Sequence, residues 1–433
     1  MNENVASPED VKEKLKYWRK RVFISLWIGY ASFYLCRVNI SIAIPGILEE
    51  YNLTKTAMGA VLSALFFAYA VGQFINGQLG DKIGARKLLT FGAIVSALLN
   101  LIFPLVPGAI SLLALVWGLN GYFQSMGWSP STKTIANWFP IKIRGKITGL
   151  FGSCYQWGNA ASWALAGLVV GAFGWRYAFW IPAIVLIVVA VQWYIRGRNA
   201  PEEVGLPTVE DCHEGIMEMK ACSEDEHLGF KYTIKTVLSN PKIWMVGFSL
   251  FGLNIIRYGF MAWAPTYMFE VEKATISTAA YKALAIPLAG SLGALFAGWA
   301  SDRFFKSRRA PIVVLMLTGL AALTILYPQL KHFHWIWSLL CLIAIGFTTY
   351  GPHVMIVGAI PMDYASRKAT ASATGFIDSL GYFGAALTGV ISGFMVDNYG
   401  WNAAFYFWVV GVIMAIILMS LQWNYVPTKG KYH

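Results

Sequence analysis

Two arginines stand where an apolar chain should carry none. Arg37 lies 15 positions past residue 22 (37 − 22), where an apolar run begins, and Arg257 lies 15 past residue 242 (257 − 242). At about 1.5 Å of rise per helical residue, each is about 22 Å from the start of its run, near the centre of a bilayer. An arginine there costs from about 2.5 to about 10 kcal/mol or more, so it needs a wet cavity or an anion. No Asp or Glu occurs in residues 22–45, nor in 242–267 around Arg257, to neutralise either one. A guanidinium stays charged and presents a planar fork of donors. Two of them converging suit a tetrahedral dianion such as phosphate or a phosphate ester.

Other polar residues fall in the same runs. Asp378 is an acid inside the eleventh run, with Thr374 and Tyr382 four residues away on its helix face. It pairs with Arg257, bonds a substrate hydroxyl, carries a proton or serves a neighbouring helix. His353 follows Pro352 in the tenth run, where a packing role is equally open. Tyr30, Tyr34, Tyr155, Gln156, Asn159, Asn254 and Tyr258 either line a cavity or pack between helices. Two loops hold Asp81 with Arg86 and Asp302 with Arg303 beside small residues. Small residues let helices approach closely, and an acid beside basic groups makes ion pairs that change with conformation. Asp81, Arg86, Asp302 and Arg303 are therefore expected to set gating.

These residues need a scaffold, and composition supplies its class. The chain has 433 residues, 57% hydrophobic and only 13% charged, against about 25% charged in soluble proteins. Apolar runs long enough to cross about 30 Å of hydrocarbon recur throughout, without the alternation of a membrane barrel. An all-α membrane protein is expected, with twelve helices near 22–45, 56–79, 88–107, 109–132, 146–171, 175–196, 242–267, 278–300, 311–328, 335–361, 369–395 and 402–424. This gives an N-terminal tail over 1–21, six-helix bundles over 22–196 and 242–424, a polar linker over 197–241 and a C-terminal tail over 425–433. The first apolar run follows a charged tail and is longer than the core of a signal peptide, so none is expected.

The net charge of +12 sits in short loops. Lys12, Lys14, Lys16, Arg19, Lys20 and Arg21 precede the first helix; Lys82, Arg86 and Lys87, then Lys142, Arg144 and Lys146, then Arg303, Lys306, Arg308 and Arg309, then Arg367 and Lys368 occupy alternate loops. The intervening loops hold only Lys55, Arg176, Lys273 and Lys331. Cytoplasmic loops carry the excess of basic residues, so both termini are expected in the cytoplasm. The charge reflects topology rather than nucleic-acid binding.

The halves also repeat. Arg37 and Arg257 are 220 apart (257 − 37), Asp81 and Asp302 are 221 apart (302 − 81), Pro130 and Pro352 are 222 apart (352 − 130), and Gly174 and Gly400 are 226 apart (400 − 174). Parallel repeats place a substrate site between them near the midplane.

The loop Gly77-Gln78-Leu79-Gly80-Asp81-Lys82-Ile83-Gly84-Ala85-Arg86-Lys87 resembles the G-x-L-x-D-x-x-G-x-R-K motif of the major facilitator superfamily. Within it, Tyr34–Asn39, Gln124–Pro130, Arg257–Tyr267 and Tyr350–Pro352 resemble the organophosphate:phosphate antiporters, which include glycerol-3-phosphate and hexose-phosphate transporters. That resemblance implies phosphate binding by Arg37 and Arg257. Where glycerol-3-phosphate carriers have a lysine and a histidine, this chain carries Gln73 and Tyr155, which implies a less cationic site and leaves a larger polyol or sugar phosphate open.

Three readings follow. The first is a carrier exchanging an organic phosphate for inorganic phosphate by alternating access. The second is a proton- or sodium-coupled organic-anion symporter with Asp378 as coupling group, and the third a transporter-like sugar-phosphate receptor. The expected partners are phosphorylated small molecules, inorganic phosphate and the lipid of the cell (inner) membrane, with no nucleic acid, no cofactor and a monomeric state. No nucleophile–base arrangement, phosphate-cradling loop or metal-spaced cluster occurs, so no enzyme is expected. Cys36, Cys154, Cys212, Cys222 and Cys341 read as core fillers or free thiols.

Overall fold

The computed structural model of the protein describes residues 8–207, 238–306, 308–361 and 370–425, and the regular structure among them is helical. The first span is two helices, α1 (Pro8–Phe33) and α2 (Ile40–Tyr51), joined through a 3-10 turn at Tyr34–Cys36. The second and third are α3 (Lys55–Ile83) and α4 (Ala85–Ile102). The fourth is divided into α5 (Ile110–Gln124) and α6 (Trp128–Trp138), and α7 (Ile141–Phe173) and α8 (Tyr177–Arg196) complete the first half. In the second half, α9 (Pro241–Glu270) precedes α10 (Ile276–Ala283) and α11 (Ala285–Phe305), which together form the eighth span. Then come α12 (Arg309–Leu326), α13 (Trp335–Val354), α14 (Thr370–Tyr399) and α15 (Trp401–Ser420). A π turn at Met355–Ala359 extends α13 just past Pro352 and His353.

All twelve expected spans are present, and their limits differ where physics other than hydropathy decides. The first helix begins at Pro8 rather than at residue 22. Glu9 and Asp10 occupy its first turn, where acids favour the helix N-terminus, and Lys and Glu sustain a helix in water. The charged segment also rests on the fourth span: Trp18 stacks on Trp138 with centroids 6.5 Å apart, and Arg19 Nε donates to the Trp138 carbonyl at 2.8 Å. Ten described helices are long and apolar enough to cross a membrane. The fourth and fifth spans fall short because Ser125–Gly127 interrupts one and polar residues such as Gln156, Asn159 and Ser162 lie within the other. Residues 208–237, with the acidic run 224–226 and Cys212 and Cys222, lie outside the described residues, as do Arg367 and Lys368. Cys36, Cys154 and Cys341 are buried free thiols.

The repeat is visible in helix ends as well as in sequence. Thr54 caps α3 by accepting from Ala57 N, and Thr275, 221 positions on (275 − 54), caps α10 by accepting from Thr278 N. Gly174 and Gly400 both turn the chain at positive φ, +95° and +81°, which glycine adopts without a Cβ clash.

The halves meet tightly on the face opposite the N-terminus. A Cβ on Gly59 of α3 would lie 2.3 Å from the carbonyl oxygen of Gly389 of α14. Ser63 Oγ donates to the Ala386 carbonyl and accepts from Val390 N at 3.0 Å. Lys55 pairs with Glu270 at 3.1 Å. The Asp397 carboxylate accepts from Lys55 N at 3.2 Å, from Thr56 N at 2.7 Å and from Thr56 Oγ1 at 2.6 Å. Across the other seam, Ser277 Oγ donates to the Gly167 carbonyl at 2.8 Å. Toward the N-terminal face, a Cβ on Gly149, Gly358 or Gly375 would meet nothing within 4 Å.

Candidate substrate site between the halves

Arg37 lies at the break in the first span, as the residue that caps the 3-10 turn, whereas Arg257 lies within continuous α9. A broken helix in a membrane leaves backbone groups that only protein can satisfy. Here buried amides do so. Asn120 Nδ2 and Asn100 Nδ2 donate to the Cys36 carbonyl at 2.9 and 3.2 Å, and Gln124 Nε2 donates to the Phe33 carbonyl at 2.9 Å. Asn39 Nδ2 donates to Asn100 Oδ1 at 3.0 Å, and Ser96 Oγ to Asn120 Oδ1 at 2.6 Å. The same scaffold aims the arginine, because Arg37 Nε donates to Gln124 Oε1 at 2.8 Å.

That leaves the far edge of the guanidinium open. Arg37 is 3% exposed, yet Nη1 and Nη2 are buried with no hydrogen-bond partner. Arg257, 5% exposed, has an unpartnered Nε. Among the described residues, no ion pair involves Arg37, Arg257 or Asp378, so of the alternatives open to Asp378 the pair with Arg257 is not formed here. Asp378 is instead half-buried in the electrostatic field of both arginines.

Aromatic rings join the arginines along two routes. On one, Arg37 lies 4.4 Å from the Tyr34 ring, Tyr34 is 6.4 Å from Tyr155, Tyr155 stacks on Tyr350 at 6.4 Å, and Tyr350 is 5.2 Å from Arg257. On the other, Arg37 lies 4.6 Å from Tyr69, Tyr69 is 4.6 Å from Tyr382, Tyr382 is 6.1 Å from Tyr258, and Tyr258 is 4.7 Å from Arg257. The two routes close a ring around the space between the cations. Cation–π contacts partly offset the burial of each guanidinium, but they satisfy no N–H group. His353, 8% exposed with Nδ1 unpartnered, stands 6.2 Å from Tyr155 and 6.1 Å from Tyr350.

The expected residues therefore divide. Arg37, Arg257, Tyr34, Tyr155, Tyr258 and His353 come together, and Tyr382 joins them through the ring. Tyr30 stands one step behind, 5.9 Å from Tyr34. Gln73 acts indirectly: its Nε2 donates to Tyr69 OH at 2.9 Å, and its Oε1 accepts from Ser129 Oγ at 3.0 Å. Both ends of its amide are engaged in placing Tyr69 over Arg37. Gln156 Oε1 accepts from Ser291 Oγ at 2.6 Å across the seam. Asn159 and Asn254 are each 1% exposed and keep unpartnered amide atoms.

The expected gating residues tie helices within a half. Arg86 donates through Nε to the Tyr194 carbonyl at 2.6 Å, and its backbone N–H bonds Asn199 Oδ1 at 2.8 Å, linking α4 to the end of α8. Asp302 pairs with Arg309 at 2.7 Å between α11 and α12. Arg303 is exposed, and the Asp81 side chain lies outside what is described. Polar bonds between halves among the described residues run on the opposite face through Asp397, Lys55, Glu270 and Ser63, and beside the site through Gln156 and Ser291.

A separate cavity of about 230 Å³ opens in the second half near Glu272, Lys282 and Trp335. Its charges are saturated, since Lys282 pairs with Glu272, and Tyr327 OH donates to Glu272 at 2.9 Å. It has nothing to offer an ionic ligand, unlike the arginine pair.

Comparison with known proteins agrees with this geometry. Residues 26–389 match the Major Facilitator Superfamily, and the chain belongs to it. It is 34% identical over 424 residues to the glycerol-3-phosphate transporter of Bacillus subtilis, covering 96% of this chain and 95% of that one. It is 31% identical to a probable hexose phosphate transport protein of Chlamydia pneumoniae, covering 97% and 94%. It is 27% identical to the membrane sensor protein UhpC of Escherichia coli, covering 95% and 93%. These relatives place it in the organophosphate:phosphate antiporter family, a group of membrane transporters and not of enzymes. In fold, it is similar to a bacterial homolog of the human lysosomal transporter Spinster in an inward-facing, unoccupied conformation (TM-score 0.75, 14% identity, covering 94% and 96%).

Proposed function

We propose that this protein exchanges an organic phosphate, a glycerol phosphate or a sugar phosphate, for inorganic phosphate by alternating access. The observation that carries the reading is the pair of buried arginines, one from each half, with guanidinium nitrogens left unbonded and, among the described residues, no carboxylate paired to either. Phosphoryl oxygens accept from Arg37 Nη1 and Nη2 on one side and from Arg257 on the other. Charge-assisted bonds of this kind are about twice as strong as neutral ones, and they form fully only when both halves close on the anion. Similarity to transporters of glycerol 3-phosphate and hexose phosphate supports the same substrate class.

The basic loops supply the orientation. With both termini in the cytoplasm of an inner-membrane protein, the N-terminal face is the cytoplasmic one, and the face held by Asp397 and Lys55 is the outer one. A monomer suffices, since one chain contributes both arginines. Gating falls to the loops of Asp81, Arg86, Asp302 and Arg303, where Arg86 and Asp302 fix helix pairs that move as units within each half.

One observation favours a second reading. Asp378, with no ion-pair partner among the described residues, suits the coupling group of a proton-linked symporter. Exchange of labelled phosphate in reconstituted vesicles without a pH gradient decides between them, since antiport proceeds there and symport stalls. In the same vesicles Arg37→Lys and Arg257→Lys should each lose most phosphate exchange, because an ammonium does not reproduce the two-pronged contact. Full activity in both variants would refute the arginine clamp. Ligand binding without flux would instead favour a receptor.

A further inference from the structure

We infer that Asn159 reads hydroxyl groups on the organic part of the substrate, which makes the transported ester a polyol or sugar phosphate rather than a phosphorylated acid; this rests on the phosphate reading above. Asn159 is 1% exposed, and neither Oδ1 nor Nδ2 has a hydrogen-bond partner among the described residues. Each buried group left without a partner costs about 1–3 kcal/mol. A carboxamide open at both ends is a poor packing residue where leucine would fit.

Its position is that of a ligand contact. Asn159 follows Tyr155 by four residues on α7, which puts both on one helix face, and Tyr155 packs between Tyr34 of the first half and Tyr350 and His353 of the second. Gln156, three residues before Asn159, reaches Ser291 of the other half and leaves its own Nε2 unpartnered. Between them Gly158 lets α7 close on α1, since a Cβ there would lie 2.5 Å from the Ala31 carbonyl oxygen and 3.0 Å from Tyr34. The open amide edge of α7 thus runs along the seam beside the aromatic ring.

The unsatisfied atoms sort by chemistry. Those of Arg37 and Arg257 are cationic donors suited to phosphoryl oxygens. Asn159 offers one donor and one acceptor side by side, which matches two neighbouring hydroxyls: one accepts from Nδ2 while the other donates to Oδ1. A carboxylate has no proton for Oδ1, nor for the unpartnered Oδ1 of Asn254. Asp378, in the field of the same two arginines, repels a second substrate carboxylate as well.

The test is competition against labelled phosphate exchange in vesicles of the reconstituted full chain. Glycerol 3-phosphate is compared with propyl phosphate, which keeps the phosphoryl group and lacks the hydroxyls, and with 3-phosphoglycerate. The unaltered protein should prefer glycerol 3-phosphate to both. Asn159→Leu should cut its preference over propyl phosphate by about 5-fold to 150-fold, the value of one to three kcal/mol. The readout is a ratio within one protein, so a general loss of activity does not mimic it, and Asn159→Ala replaces Asn159→Leu if that variant is not inserted. An unchanged ratio, or unaltered protein that takes 3-phosphoglycerate equally well, overturns the inference while leaving the phosphate clamp in place. Absence of phosphate exchange in the unaltered protein overturns both.

Discussion

Asp397 grips the first turn of α3 from the other half, and weakening that grip should tip the molecule toward the state open on the opposite face. Its carboxylate accepts from Lys55 N at 3.2 Å and Thr56 N at 2.7 Å, two amides at the start of α3. Such amides have no partner within their own helix and attract negative charge. Removing a capping oxygen costs about 0.5–2 kcal/mol, and losing the charge alone at a surface helix end about 0.3–1 kcal/mol. Asp397→Asn keeps an acceptor and loses the charge, so it should cost the closed face up to about 1 kcal/mol, a shift of about 5-fold. Asp397→Ala loses both, approaching about 2 kcal/mol and about 30-fold. The reporter is Ala386→Cys, placed where the halves touch (8% exposed), in protein whose five cysteines are replaced by serine. A membrane-impermeant maleimide added on the opposite face labels it only when that seam opens. Labelling should accelerate in the order unaltered, Asp397→Asn, Asp397→Ala. Equal rates in all three, or slower labelling in either variant, would refute the assignment of Asp397 as the latch.

Gly59→Leu should have a stronger effect of the same sign, because even a Cβ there lies 2.3 Å from the Gly389 carbonyl oxygen; the same labelling should be fast and insensitive to phosphate. Lys282→Met should lower stability by about 3–5 kcal/mol, the usual consequence of stranding one charge of a buried pair. Thermal unfolding in detergent checks this, and pairing it with Glu272→Leu should restore most of the loss.

Much of this arrangement was legible in the sequence because it depends on local composition. Hydropathy located twelve spans, and the cost of a mid-membrane charge singled out Arg37 and Arg257. What surrounds them depended on pairing across distance. Gln124, Asn120 and Asn100 looked like scattered amides, yet Ser96 and Asn100, like Asn120 and Gln124, are four residues apart. That helical spacing marked a polar face, and a polar face inside a bundle implies broken backbone to serve. Tyr69 gave no signal beyond being aromatic; its role comes from Gln73 holding it over Arg37. The motif loops suggested gating ion pairs between helices, and Arg86 ends on the carbonyl of Tyr194 in its own half. Asp397 and Thr56 are 341 residues apart, and no periodicity links such partners.

The unpaired charges also bear on why transport would be exchange rather than net flow. Closing the empty protein draws two guanidinium groups together with, among the described residues, Asp378 in their field to offset them. At about 6 Å and an effective dielectric of about 20, two such cations repel by about 3 kcal/mol. A bound phosphate dianion reverses that sign, so the loaded protein closes and the empty one hesitates. Uptake into phosphate-loaded vesicles should then exceed uptake into empty vesicles by about 100-fold, the factor that about 3 kcal/mol represents. Asp378→Asn removes the offset and leaves the empty site more positive, while the loaded site becomes neutral. The variant should therefore widen the gap between exchange and net uptake. Were Asp378 a proton carrier instead, Asp378→Asn would abolish pH-driven accumulation and leave that gap unchanged.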